Sequence, residues 1–442
     1  MVSYPVREIS MSSIQSIISS IVQPELSTEQ KAFFDQIEHS SEHFFVTGKA
    51  GTGKSHLLQY LKKHSKKNLV VAAPTGVAAI VVGGQTIHSL FKLPPTLLDQ
   101  EHLPVDPRTR KLLSVVELII IDEISMVRAD LMDAINRVMQ ISKKNRVPFG
   151  GAQIVMFGDP YQLPPIVMDA EHIRYFKETY GGAYFFQAHV WRQADFVTLE
   201  LGTIFRQKES ELVDLLNAIR AGAATDEHLQ YLNRRVGLSE EDERVLTLAT
   251  TNRRSMQINQ YFLSQLGGRT FSYQAKITGQ LDPKAYPAEE TLILKAGAQV
   301  MMLKNDADKR WVNGSIGKVT SLTDAEIVVS IDGIEHEVKK DIWNRIRFTV
   351  NKESGKIEEE VISTFMQAPL RLAWAVTIHK SQGQTFDRVN IDLERGAFAH
   401  GQTYVALSRC KTLAGISLVR AVEQSDIIVD PDIVSFMKSV IM

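Results

Sequence analysis

The chain has 442 residues, of which 50 are Lys or Arg and 51 are Asp or Glu, for a net charge of −1. Hydrophobic residues make up 44% and charged residues 23%, which excludes general disorder and leaves ample material for packed cores. A single cysteine, Cys410, excludes a disulfide framework and thiolate-cluster metal sites; no apolar run reaches the roughly 18 residues of a membrane span; and the neutral balance means that any nucleic acid must be met by local charge.

Residues 1–26 are serine-rich and weakly amphipathic, lack the pattern of a signal or transit peptide, and read as an N-terminal extension of a cytoplasmic protein. From Ser27 an α/β pattern begins. Ser27 and Gln30 fit a capping box opening a helix through Phe33, Phe34 and Ile37. A strand over Phe44–Thr47, a glycine loop and a helix with Leu57, Leu58 and Leu61 follow. Further short buried strands are expected at Leu69–Ala73, Leu118–Asp122, Ile154–Phe157, Val245–Thr250, Ala373–Thr377 and Val389–Asp392, enough for two parallel sheets. The proline-rich stretch 92–110 reads as a protruding loop or small hairpin. Residues 297–361, with alternating runs broken at Asn313-Gly314 and Asp332-Gly333, read as an antiparallel β module inserted in the second α/β domain.

Gly48-Lys49-Ala50-Gly51-Thr52-Gly53-Lys54-Ser55 matches a phosphate-binding loop in full and lies between a strand and a helix. Its glycines let backbone N–H groups curl around phosphate oxygens, and the helix N-terminus adds partial positive charge. Lys54 is suited to the β- and γ-phosphates, and Ser55 to Mg²⁺. Asp122 and Glu123 end the apolar run Leu118–Ile121, at the sheet edge where α/β proteins bind ligands. Asp122 suits Mg²⁺, and Glu123 suits orienting and deprotonating a water. Arg206 and Arg409 follow apolar stretches, and either could supply charge to a hydrolysed phosphate or serve as a surface ion-pair partner. Gln162, after Gly158-Asp159-Pro160-Tyr161, is a candidate γ-phosphate sensor or a turn residue. Gln30 is explained equally by the cap and by contact with adenine.

Three strand-end segments mix hydroxyl, basic and aromatic residues: Ala73–Gly76 with Pro74 and Thr75, Thr86–Phe91 with His88, and Thr377–Thr385 with Thr377, His379 and Lys380. Hydroxyls and Lys380 suit phosphates, and the rings suit base stacking. Residues 371–420 hold seven Lys/Arg against three Asp/Glu. Each segment alone is equally an ordinary strand–helix connection.

LSTEQ, GKAGTGKS, APTGVAA, TIHSLF, IIIDEISMV, PFGGAQIVMFGDPYQLPP, FRQ, TTNR, WAVTIHKSQGQT and YVALSR occur in that order. Together they resemble the Pif-one family of superfamily-one DNA helicases, from about Leu26 to Arg420. The resemblance implies two tandem RecA-like domains with ATP and Mg²⁺ in the cleft between them. It places the first domain at 27–195 with a small wedge at about 92–110, the second at 196–296 plus 362–442, and an SH3-like insertion at 297–361. It implies 5′-to-3′ movement on single-stranded DNA and unwinding at duplex junctions, with G-quadruplexes and RNA–DNA hybrids as further substrates, by a monomer of core-only, bacterial or phage-like form. By motif match, Gln30 meets adenine. Gly48, Gly51, Thr52, Gly53, Lys54, Ser55, Gln382 and Gly383 line the nucleotide. Asp122 and Glu123 serve metal and water, Gln162 couples the sites, and Arg206 and Arg409 supply charge. Pro74, Thr75, His88, Thr377, His379 and Lys380 touch DNA. Alternatives are a RecD-like helicase, a DNA-dependent ATPase that translocates or remodels without separating strands, and a kinase sharing only the phosphate loop.

Overall fold

The computed structural model describes residues 26–98, 103, 105–167, 169–207, 209–238 and 245–441, so the expected N-terminal extension lies outside the described residues up to position 25. The first sheet contains β1 (His43–Gly48), β2 (Leu69–Ala73), β3 (Gln85–Thr86), β4 (Leu118–Ile121), β5 (Gln153–Phe157) and β6 (Phe196–Leu201), in the order β3-β2-β4-β5-β1-β6. Every pairing is parallel. The central strands β4 and β5 are buried throughout, as a parallel sheet covered on both faces requires. Alternate residues serve two cores. Phe44, Val46, Ile120 and Val155 face the helices Thr28–His39 and Lys54–His64, while Phe45, Ile119, Ile121 and Ile154 face Pro107–Val115 and Ala129–Lys143. The carboxyl ends of β1, β2, β4 and β5 therefore carry residues 48–55, 74–76, 122–123 and 158–162 along one edge.

The second sheet is smaller and also parallel, in the order Ala375–Thr377, Leu246–Ala249, Val389–Asp392, Ile416–Leu418. These are the two tandem RecA-like layers expected from the sequence. Two elements cross the expected boundary. Strand β6, placed in the second domain by the sequence, pairs with β1 along its whole length and forms the edge of the first sheet. The last helix, Pro431–Ile441, returns to bury Ile433, Phe436 and Met437 in the first sheet's core. An apolar strand carries no mark of which open edge it will join; only the packing decides.

The antiparallel region also departs from the expected limits. Ile334–Glu337, Ile327–Ile331, Ile316–Leu322, Gln299–Met302 and Leu370–Leu372 form one five-stranded sheet. Asp332 and Gly333 both have positive φ (51° and 81°), as a tight two-residue hairpin needs. Asp341–Val350 and Ile357–Gln367 leave this sheet. They form a long hairpin that pairs with Lys276–Thr278 and reaches the first half. Ile346 and Phe348 enter the first core, Phe348 N donates to Gln85 Oε1 at 3.1 Å, and Lys62 pairs with Glu359 at 3.1 Å.

The stretch 92–110 is not a free protrusion where it is described. Leu93 and Leu98 are buried in the first core. Asp106 caps the helix Pro107–Val115, with Pro107 at its first position. Residues 99–102 and 104 lie outside the described residues. Among the described residues, no helix is long and apolar enough to cross a membrane.

Candidate nucleotide site and nucleic-acid track

Residues 48–55 connect β1 to the helix Lys54–His64, with Gly53 left-handed at the N-cap (φ 85°). Gly51 also has positive φ, and a Cβ there would collide with Cβ of Arg206, so only glycine fits. Lys54 Nζ donates to the carbonyls of Gly48 (2.6 Å) and Lys49 (3.1 Å), and burial lowers its pKa. Thr52 Oγ1 also donates to Lys49 O, at 3.0 Å. Gln30 fulfils the capping box foreseen for it and also reaches into the loop. Its Oε1 accepts from Ser27 N in the capping box, and its Nε2 donates to Gly53 O at 3.2 Å, inside the loop.

Asp122 and Glu123 follow β4 toward the same edge. Glu123 holds φ 50°, a costly left-handed conformation for a side-chain-bearing residue. Burial raises both carboxyls; Asp122 is pushed up to about 7, with the Glu123 charge adding to the effect. Arg206 lies on the crossing segment after β6 rather than on the second sheet. Phe205 N donates to Gly51 O at 2.9 Å, and Arg206 Nη1 donates to Ser408 O at 3.1 Å. Arg409 is only 1% exposed. Its guanidinium is held by Val405 O (2.9 Å), Ser408 Oγ (2.8 Å), Gln384 O (3.4 Å) and Ser381 O (3.5 Å). Burial, and then the charge of Arg206, push it down to about 9. Gln382 and Gly383 sit on the same turn that lends carbonyls to Arg409, and Gln382 Nε2 is buried without a partner. Gln162 is buried one turn past β5, its N–H bonded to Asp159 O at 2.9 Å.

Among the described residues, Lys54, Arg206 and Arg409 form no ion pair within 4 Å. Three buried or half-buried cations are thus satisfied by carbonyls and one hydroxyl alone. Such groups normally require a paired anion.

The expected nucleic-acid residues are divided in their accessibility. Pro74 and Thr75 end β2; Thr75 is exposed, and its hydroxyl caps the next helix by accepting from Ala78 N. Gly76 lies against Ala285. His88 is half-buried with Nε2 unpartnered, and burial, then Arg128, lower its pKa. Arg345 of the hairpin reaches Ser89 Oγ at 3.5 Å. In the second half, Thr377 is buried and its hydroxyl accepts from Lys380 N at 3.3 Å. His379 is half-buried, with its pKa lowered by burial, and Lys380 is exposed.

Sequence reasoning assigned no role to Asp159, Arg220, Tyr404 or Phe205. The Phe205 ring, more than half exposed, stands beside Gln30 at Gly53. Tyr404 hydroxyl accepts from Ala50 N, 354 positions away. No local pattern signals such a pairing.

The PIF1-like helicase family model matches residues 25–229. The chain is 34% identical over 427 residues to the ATP-dependent DNA helicase Pif1 of Bdellovibrio bacteriovorus, covering 94% of this chain and 92% of that one. Against the ATP-dependent DNA helicase PIF1 of Rattus norvegicus it is 35% identical and spans 61% of that longer protein. Crystalline Bacteroides Pif1 with ADP-AlF4 superposes with a TM-score of 0.86 at 37% identity, covering 94% of this chain and 97% of that one. Bacteroides Pif1 bound to single-stranded DNA gives 0.67 at 38% identity, covering 94% and 97%. Ordered motifs, twin parallel sheets and full-length likeness agree: the chain belongs to the PIF1-like helicase family and is an ATP-dependent DNA helicase.

Proposed function

We propose that the chain moves 5′ to 3′ along single-stranded DNA and unwinds duplex DNA at junctions, driven by ATP bound at residues 48–55 between the two sheets. The observation that carries this reading is the group of cations with no carboxylate within ion-pair distance among the described residues, Lys54, Arg206 and Arg409, around the phosphate loop. A triphosphate supplies the anion they lack. Gln30 would meet the adenine. Gln382 and Gly383 would line the nucleotide from the second half. Glu123 would orient and deprotonate the attacking water, and Gln162 would report the γ-phosphate to the strand-end loops. Ser55 and Asp122 would hold Mg²⁺, whose charge would help neutralise the phosphates; the raised Asp122 and Glu123 carboxyls fit a site built for a cation.

The binding energy that draws the halves together comes from Arg409 of the second half, with Arg206 beside the loop on the crossing segment, reaching phosphates held by the first half. Loss of the γ-phosphate weakens that attraction, and the cleft relaxes. A ligand shifts such an equilibrium only by its differential affinity for the two states, and an arginine in trans provides one. Pro74, Thr75 and His88 on one half, and Thr377, His379 and Lys380 on the other, would grip the strand alternately.

Two measurements test the reading. Lys54→Ala should abolish DNA-stimulated ATP hydrolysis while DNA binding persists, and normal turnover would remove the phosphate-loop assignment. A duplex with a 5′ single-stranded tail should be unwound and one with a 3′ tail should not; the reverse preference would overturn the polarity. ATP hydrolysis with movement but no strand separation would favour the remodelling ATPase.

A further inference from the structure

The phosphate loop is also held from behind, by groups with no part in the roles above. Ala50 N donates to the Tyr404 hydroxyl at 3.0 Å. Tyr404 Oη lies 3.4 Å from Asp159 Oδ2. Arg220 grips the same carboxylate, Nη2 to Oδ1 at 2.9 Å and Nε to Oδ2 at 3.4 Å, and its guanidinium lies over the Tyr161 ring at 4.1 Å. Tyr404 and Asp159 are both nearly inaccessible. A phenol has one proton, so an oxygen that accepts from Ala50 gives that proton to Asp159. The bonds therefore run one way, from the loop through Tyr404 to an aspartate anchored by Arg220. They tie together the phosphate loop, the turn after β5, the helix Ser210–Arg220 and the helix Gln402–Leu407.

The peptide involved is the one that matters to Lys54. Ala50 N and Lys49 C=O belong to the same planar unit and point in opposite directions. Fixing the N–H on Tyr404 fixes the Lys49 carbonyl, and that carbonyl accepts from both Lys54 Nζ and Thr52 Oγ1. The bond that sets the loop's geometry comes from the second half of the chain. It exists only when helix Gln402–Leu407 is docked against residues 158–162. Gly401, at the head of that helix, has positive φ, and a Cβ there would run into the Tyr161 carbonyl, so this docking is close.

We infer that Tyr404 is a positioning residue for ATP hydrolysis: with Asp159 and Arg220 it orients the 49–50 peptide, and through it the Lys54 ammonium, only when the two halves are docked. This rests on the phosphate-loop reading given above.

The test uses the full chain with single-stranded DNA, comparing kcat with the dissociation constant of a fluorescent ATP analogue. Tyr404→Phe removes one oxygen and should lower kcat about tenfold while analogue affinity moves less than threefold. Arg220→Met should do the same, and Arg220→Lys should recover at least a third of the wild-type kcat. The double variant Tyr404→Phe/Arg220→Met should fall no more than twofold below the worse single variant, because both act through Asp159. Wild-type kcat in Tyr404→Phe would overturn the inference. So would losses that multiply in the double variant, or a loss accounted for wholly by unfolded protein in a thermal melt. Lys54→Ala serves as the control. If it turns over normally, the phosphate-loop reading has failed; if it is inactive while Tyr404→Phe is normal, only the positioning role has failed.

Discussion

Arg409 combines near-complete burial with the absence of a carboxylate partner. Its carbonyl cage holds the guanidinium in place without an ion pair, the Glu123 and Asp159 charges only partly offset its burial, and Arg206 close by adds to the cost. Arg409→Ala should therefore keep nucleotide affinity within a few-fold and lose hydrolysis by about 10³-fold or more, the range found for arginines that meet transferred phosphate. Single-turnover kinetics beside an equilibrium binding curve would show it, and an unchanged kcat would end the charge-supplying role. At this scale the sequence was most legible where chemistry is local. Lys54, Ser55, Asp122 and Glu123 are named by spacing and by the strand before them. Gln30 was readable as a cap because its partner is three residues away; its second bond, to Gly53, was not foreseen, the open alternative having been contact with adenine. Tyr404 and Arg220 were opaque because what they touch is set by how two sheets dock, which no window of sequence contains.

Elements that pack across the halves yield two predictions. His400 sits where residues 158–162 meet the second half; its Nδ1 accepts from Asp430 N at 2.9 Å, and its Nε2 then donates to Pro160 O at 3.0 Å. Both bonds are made by a neutral ring. Burial lowers its pKa from the ordinary 6.5, outweighing the Pro160 carbonyl and the charges of Asp430 and Asp159, which act in the opposite sense. The folded state thus binds this proton less well than the unfolded chain, so the contribution is intact above about 6.5 and is lost as pH falls below it. In thermal melts from pH 7.5 to 5.5 the His400 contribution should lower the midpoint, and His400→Asn should remove that part of the pH dependence. His43, His88 and His379 are depressed as well and act in the same sense, whereas the raised carboxyls of Asp122 and Glu123 act in the opposite one, so the reading is the difference in slope between variant and wild type. An unaltered slope in the variant would contradict the assignment.

The last helix gives the second prediction at this scale. Phe436 stacks on Phe186 at 4.0 Å and lies 5.3 Å from Trp191 and 5.8 Å from Phe45. Phe436→Ala should destabilise by about 3 kcal/mol, the lower end for a buried ring truncated to a methyl, as read by urea denaturation. A change near zero would mean that the helix is not seated on this core. Central strands such as β4 and β5 were legible because four or five consecutive apolar residues allow little else. The helix Pro107–Val115 was missed although Asp106-Pro107 announces it, since the prolines before it suggested a loop. The hairpin Asp341–Gln367 was not foreseen, since the runs read as strands end at Val338 and alternation reveals a strand but not its neighbour.

For the molecule as a whole, the likeness is greater to DNA-free Bacteroides Pif1, 0.86 with ADP-AlF4 and 0.86 unliganded, than to its single-stranded-DNA complex, 0.67. Residues near Ala285 and Arg345 stand over Gly76 and Ser89. Nucleotide should bind this arrangement without help from DNA. At about a hundred times its dissociation constant it stabilises by about 2.7 kcal/mol through mass action. A scanning melt with ADP-AlF4 and Mg²⁺ should therefore rise by a few degrees in the wild type and stay still in Lys54→Ala. Equal shifts in both would place the ligand elsewhere.

The stretch from Gly202 to Gln207 is the first passage from one sheet toward the other, and it lies against Gly51 as it goes. The covalent bridge is thus also part of the wall of the chamber around residues 48–55. Cutting the chain there would do more than free two lobes, because neither piece would keep an intact chamber. A nick in the exposed turn at 352–355, at the tip of the long hairpin, would leave that chamber whole. Anyone dividing this helicase into complementing fragments should cut at the hairpin's tip and spare the bridge.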